Sequence, residues 1–312
     1  MKIIDTAGQA GRAFFCQPFD LEKWRAYAAG ISPELARMCL EDAAKYDFDR
    51  QVAPVLQASL SRPDKLRQLH ASFLGAVGAL RANGPALLGA SGQAQSPGPQ
   101  TGGPKGAAAP QDAGRGIQGM PLFAGGGGPA IVLYLGLCCA AGRATRLEGV
   151  PAILLGIEKI IELDWCDETA MKALLFHELG HLWHESLRGE LEEGGSPRQR
   201  AVQQVYSEGV AMVCQQRLAG DPELFHQDRD GWLGWCRANE GAIKAGYLRR
   251  MEAGESTQGF FGDWVSFMGR PDVGYFLGRQ FVAWLLGRYT LAEAAVLPYS
   301  QLESSLAAFL QA

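Results

Sequence analysis

Three of the chain's five histidines fall within eight residues, in the run Ala173-Leu-Leu-Phe-His-Glu-Leu-Gly-His-Leu-Trp-His-Glu185. His177 and His181 stand four apart with Glu178 between them, an HExxH pattern. On an α-helix, residues four apart share one face, about 6 Å of rise from each other. Two imidazoles so placed can take two corners of a zinc tetrahedron, and the intervening carboxylate can serve a water there as general base. The other histidines, His70 and His226, are isolated in the sequence.

A bare HExxH also arises by chance, so its context carries the weight. Asp164, Asp167 and Thr169 are N-cap candidates, and the acidic Asp167-Glu168 suits a helix start. Ala170 to Phe176 supply an apolar lead-in turn, and Gly189 is a natural stop. Histidines on the buried side of such a helix need polar partners, which a metal would provide. Upstream, Ile131–Cys139 and Ala152–Ile157 read as buried strands joined through a polar turn at Arg143–Gly149. Glu158–Leu163 extends the second strand or forms a short helix. Downstream, Ser196-Pro197 opens a helix that runs to about Leu218 and stops at Gly220. Further helices are expected over Gly231–Glu252, Asp272–Arg288 and about Pro298–Leu310.

A catalytic zinc needs a third protein ligand, with the fourth position open. His184 shares the face, but a rigid helix sets it about 10 Å of rise from His177. Glu185 is turned away from the histidine stripe by roughly 80–100°. Glu208 lies mid-helix among Val205, Val210, Ala211 and Met212, where an unpartnered carboxylate is expensive to bury. That burial favours Glu208 as the ligand; its ordinary alternative is an ion pair with Arg200 or Arg217.

His177-Glu-Leu-Gly-His181, followed 27 residues later by Glu208-Gly-Val-Ala211, resembles the gluzincin branch of zinc metallopeptidases. More narrowly it is similar to the bacterial peptidase-MA-like group of predicted zinc-dependent proteases. The likeness extends to Leu155-Gly-Ile-Glu-Lys159 and to Gly274-Tyr-Phe-Leu-Gly278, over about residues 131–290. The 27-residue gap exceeds the usual thermolysin-type or aminopeptidase-type spacing, so those specificities do not transfer. The resemblance implies one zinc ion held by His177, His181 and Glu208, with Glu178 polarising the attacking water in peptide hydrolysis. Tyr275 is the candidate for stabilising the oxyanion, with Tyr206 and His184 competing. The strand near Ile153–Ile157 would be the edge that pairs with an extended peptide or protein substrate. The same ligands permit hydrolysis of a non-peptide bond, and a third reading is a catalytically silent binding protein on a zincin fold. Glu178 argues against the last, because a silent site has no use for a general base.

The implied fold is α+β, predominantly helical and zincin-like, with a small sheet before the HExxH helix and a helical C-terminal half. Three regions are expected: a helical 1–83, a Gly/Pro-rich flexible insertion over 84–129, and the zincin-like domain over 130–312. The middle segment holds 14 glycines and 7 prolines in 46 positions. It cannot bury enough apolar area to offset its ordering entropy. A net charge of −4 suggests neither nucleic acid nor an anionic membrane as partner. The first ten residues have no apolar core of a secretory signal. Seven cysteines with no CxxC spacing suit free, mostly buried thiols in a reducing compartment, hence a cytoplasmic location.

Overall fold

The computed structural model describes residues 1–87, 128–189, 195–262 and 265–312. It is α+β and mainly helical, with one small mixed sheet. The sheet holds β1 (Lys2–Asp5), β2 (Ala130–Tyr134), β3 (Gly142–Leu147) and β4 (Val150–Gly156), in the order β1-β2-β4-β3. β1 and β4 flank β2 in parallel, and β3 lies antiparallel on β4. β2 is wholly buried, as a continuous apolar run on a sheet covered on both faces should be.

In the sheet, two features depart from the sequence reading. Arg143–Gly149 is not a turn: β3 occupies most of it, and Glu148-Gly149 alone makes the reversal. Both residues have positive φ (54° and 77°), the geometry of a two-residue hairpin loop. The polar Arg143, Thr145 and Arg146 hide the strand because β3 is an edge and needs only one apolar side. The edges are therefore β1 and β3, and β4 with Ile153–Gly156 is interior. The second departure is β1, four residues too short to show a period.

Five helices separate β1 from the Gly/Pro-rich segment: α1 (Ala7–Phe14), α2 (Leu21–Ile31), α3 (Pro33–Ala43), α4 (Ala53–Leu60) and α5 (Pro63–Leu87). α5 runs past the expected boundary at residue 83, through Gly84-Pro85 to Leu87. Residues 88–127, most of the expected insertion, lie outside the described residues. After the sheet, α6 (Ile157–Glu162) leads into α7 (Glu168–Arg188), the HExxH helix. Asp167 caps it by accepting from Ala170 N–H, and Gly189 ends it at φ 80°. α8 (Pro197–Ala219) opens on a full capping box, Ser196 with Gln199, and ends at left-handed Gly220. The segment expected as one helix over Gly231–Glu252 is two, α9 (Trp232–Ala238) and α10 (Glu240–Ala253), broken at Asn239. α11 (Val273–Leu285), α12 (Leu291–Ala294) and α13 (Tyr299–Gln311) complete the chain.

The core is concentrated where α8 packs between α7 and α11. Small residues set those crossings. A Cβ on Gly180 would lie 2.8 Å from Cys214 Cβ and 2.9 Å from Ala211 Cα. A Cβ on Gly209 would collide with the Gly278 carbonyl, and one on Gly278 with the Val205 carbonyl. The glycines within HExxH, Glu-Gly-x-Ala and Gly-Tyr-x-x-Gly thus share one purpose. They let three helices approach until Glu208 meets the α7 histidines and Tyr275 overlooks them. Among the described residues no helix is long and apolar enough to cross a membrane. None of the seven cysteines is joined in a disulfide with another.

Candidate metal centre

Three donor atoms converge between α7 and α8. His177 Nε2 lies 3.1 Å from Glu208 Oε2, His181 Nε2 lies 3.3 Å from the same oxygen, and the two Nε2 atoms are 3.1 Å apart. A tetrahedral zinc with bonds of about 2.0–2.1 Å requires ligand atoms about 3.3 Å apart. The triangle fits. Its chemistry fits too: two imidazole nitrogens and a carboxylate oxygen facing one another are all satisfied together by one divalent cation. Among the described residues this is the one group of three or more His, Cys, Asp or Glu placed to hold a metal ion.

Electrostatics tie the cluster together. Burial works to raise the Glu208 carboxyl, yet His181 and His177 hold it well below the usual carboxylate range. Burial works to lower His181, but the Glu208 charge and hydrogen bond carry it up to about 9. Glu178 stands beside the triangle, 5% exposed. Burial raises its carboxyl above the ordinary value, against the pull of the two histidines. The Ala144 backbone amide on β3 also works to lower it. Gly142 makes room for it, since a Cβ there would lie 2.5 Å from Glu178 Oε1.

The other ligand candidates are committed elsewhere. His184 Nε2 bonds the Ala295 carbonyl at 3.1 Å, and Glu185 pairs with Arg146 at 3.2 Å. Arg200 donates to the Gly195 carbonyl rather than to Glu208. Of the oxyanion candidates, Tyr206 donates its hydroxyl to the Ala294 carbonyl at 2.6 Å. Tyr275, in the first turn of α11, has its ring 5.6 Å from that of His177.

His226 is the residue that the sequence does not connect with the site. Its ring stands edge-on to His177 at 5.1 Å, and it also packs on Trp165 and Tyr275. Nδ1 donates to Gln215 Oε1, whose own amide is fixed by donating to the Leu224 carbonyl. Nε2 then accepts from Gln227. Burial keeps this imidazole neutral, well below its ordinary pKa. His181 has Ser207 Oγ 3.4 Å from its Nδ1, but His177 Nδ1 is buried with no partner. A metal-binding imidazole is usually oriented by a hydrogen bond from its second nitrogen. His177 is held by ring packing against His181, His226 and Tyr275 instead. His226 sits in the loop between α8 and α9, where no period or motif could mark it.

A groove of about 880 Å³ runs from the cluster along α7, walled on one side by consecutive residues Gly142–Arg146 of β3. Comparisons of the chain with protein families, curated proteins and solved structures yield no match in any of the three.

Proposed function

We propose that the chain is a zinc-dependent peptidase of the gluzincin type. The observation that carries this reading is the convergence of His177, His181 and Glu208 at 3.1–3.3 Å beside a buried glutamate. Two imidazoles and one carboxylate suit zinc and leave a position open for reaction. When bound, the ion supplies a Lewis acid that acidifies water and polarises a carbonyl. The chain supplies the rest. Glu178, its carboxyl raised above the ordinary value by burial, takes the proton of the attacking water and delivers it to the leaving amine. Tyr275 lines the groove at the cluster and is the hydroxyl assigned to the developing oxyanion. Because β3 is an edge strand, its outer side offers backbone groups to which an extended peptide can pair. This substitutes β3 for β4 as the docking strand.

The test is metal content together with cleavage of a generic unfolded protein. The expected result is about one zinc per chain, with proteolysis lost on chelation and restored by zinc. Protein that takes up no zinc on titration, or that is zinc-replete and cleaves nothing, removes the reading.

A further inference from the structure

A second cavity, of about 220 Å³, reaches the metal cluster. It shares Gly142, His177, Glu178, Glu208 and Tyr275 with the groove, so the two spaces meet where a scissile bond would lie. Away from the cluster its walls include Leu163, Trp165, Leu174 and Phe261. Most of its polar lining is engaged within the protein, Gln204 through an oxygen that accepts from Thr257 at 3.5 Å. Lys159 pairs with Glu162 at 2.6 Å, and Asp272 accepts from Gly262 N–H at 2.7 Å. Gln258 donates to the Phe261 carbonyl at 2.8 Å, and both His226 nitrogens are bonded to glutamines. A polar guest would meet partners already taken, whereas an apolar one meets aromatic and aliphatic faces. At about 220 Å³ against about 880 Å³ it is a side pocket a quarter of the groove's size, suited to one side chain rather than to a length of backbone.

We infer that this cavity is the specificity pocket, taking a large apolar or aromatic side chain from the residue adjoining the cleaved bond. The inference rests on the peptidase reading and adds the substrate class to it. A pocket of this kind discriminates by the apolar volume it buries, typically about tenfold or more between large and small side chains.

The zinc-loaded full chain is given a peptide mixture varied at the positions flanking the cut, and the products are sequenced by mass spectrometry. Phe, Tyr, Leu or Met should be enriched about tenfold or more over Gly and Ala on one side of the cut. Ala140 also lines the cavity, so Ala140→Leu should shift the preference toward small residues; Leu163→Ala should shift it toward Trp. Equal cleavage beside all side chains, a preference for Glu or Lys there, or a profile unmoved by both variants overturns the inference. If the zinc-loaded protein cuts no peptide, the peptidase reading itself has failed, and the cavity is tested by binding alone. N-acetyl-phenylalanine amide and N-acetyl-alanine amide are then titrated into zinc-loaded protein and followed by NMR. Tighter binding of the phenylalanine amide, lost in Ala140→Leu, keeps the pocket; indifference between the two rejects it.

Discussion

Helix α7 carries two polar clusters, each partly buried and about one turn apart, built from much the same residue types, and they reach opposite ends. In the C-terminal cluster every polar side chain finds a backbone carbonyl. His184 reaches Ala295, Tyr206 reaches Ala294, and Arg188 reaches Leu297 at 2.8 Å. All three carbonyls come from the stretch at and just after α12, so this cluster ties α7 and α8 to the end of the chain. In the other cluster, among the described residues, the three side chains are bonded to side chains and not to carbonyls. His177, His181 and Glu208 turn their donor atoms on one another, and His177 Nδ1 is left without a bond. The protonation follows suit: burial, helped by the His181 and Arg188 charges, pushes His184 down to about 3, while Glu208 lifts its neighbour His181 to about 9. A histidine beside a metal motif is thus decided by whether a backbone acceptor claims it first.

The sharpest way to break the contrast is to remove one member from each cluster. Glu208→Ala leaves two imidazoles, and zinc affinity should fall by several orders of magnitude. His184→Ala should keep its zinc, because His184 is bound to Ala295 and not to the triangle. Competition against a chelator measures both, at one fixed pH, since His181 must give up a proton when a metal binds. A zinc-replete Glu208→Ala beside a metal-free His184→Ala would reverse the two clusters. Next in size is Glu178→Gln. Losing the proton acceptor at nearly constant shape should lower turnover on the order of a hundredfold or more with zinc retained. Turnover within a few-fold of the parent would remove Glu178 as the base.

Acid titration sharpens the comparison at the level of stability. Above pH 6.5 His184 is neutral in both folded and unfolded chains and affects nothing. Between about 6.5 and about 3 the unfolded chain binds a proton that the folded one refuses, so stability falls as pH falls through that window. Each pH step of one across it removes about 1.4 kcal/mol, so the full loss is of order several kcal/mol. Thermal midpoints of chelated protein from pH 7 to 4 should therefore drop faster for the parent than for His184→Gln. Parallel curves would mean that His184 accepts its proton in the folded state and that burial and the neighbouring charges oppose its protonation less than the geometry indicates.

Much of the metal cluster is legible in the sequence because its chemistry is local. Asp167, Gly189, Ser196-Pro197 and Gly220 bound the two helices that carry it, and HExxH sets two donors on one face. Glu208 is readable from the cost of burying it. The C-terminal cluster is not legible, because its partners are carbonyls of Ala294, Ala295 and Leu297, which every residue possesses and no spacing reveals. His226 escapes for the same reason: its tie to the site is ring packing across a loop. β3 passes for a turn because an edge strand needs only one apolar side, and its Arg143 and Arg146 supply polar letters where a buried strand would have none. Gly180, Gly209 and Gly278 are visible as letters, but what they make room for appears only when the helices cross.

The smallest effect is expected from Tyr206→Phe, and it tests the boundary between the clusters most closely. Tyr206 lies on α8 only two residues before Glu208, and its ring is 4.9 Å from that of His184. By sequence it rivals Tyr275 for the oxyanion. Its hydroxyl is instead donated to Ala294, and burial raises its pKa to about 12. Phe keeps the ring, leaves the Ala294 carbonyl without that donor, and should cost about 1 kcal/mol. In a chain of this length that lowers the thermal midpoint by about 2–4 °C. Peptide cleavage should stay within about twofold of the parent, because no group at the triangle is altered. Tyr275→Phe should show the opposite signature, turnover down by about a hundredfold, the usual loss for one oxyanion donor. If Tyr206→Phe lost activity and kept its midpoint, its hydroxyl would have to leave Ala294 during the reaction. The C-terminal cluster would then belong to the catalytic machinery, and α12 would have to move as part of it.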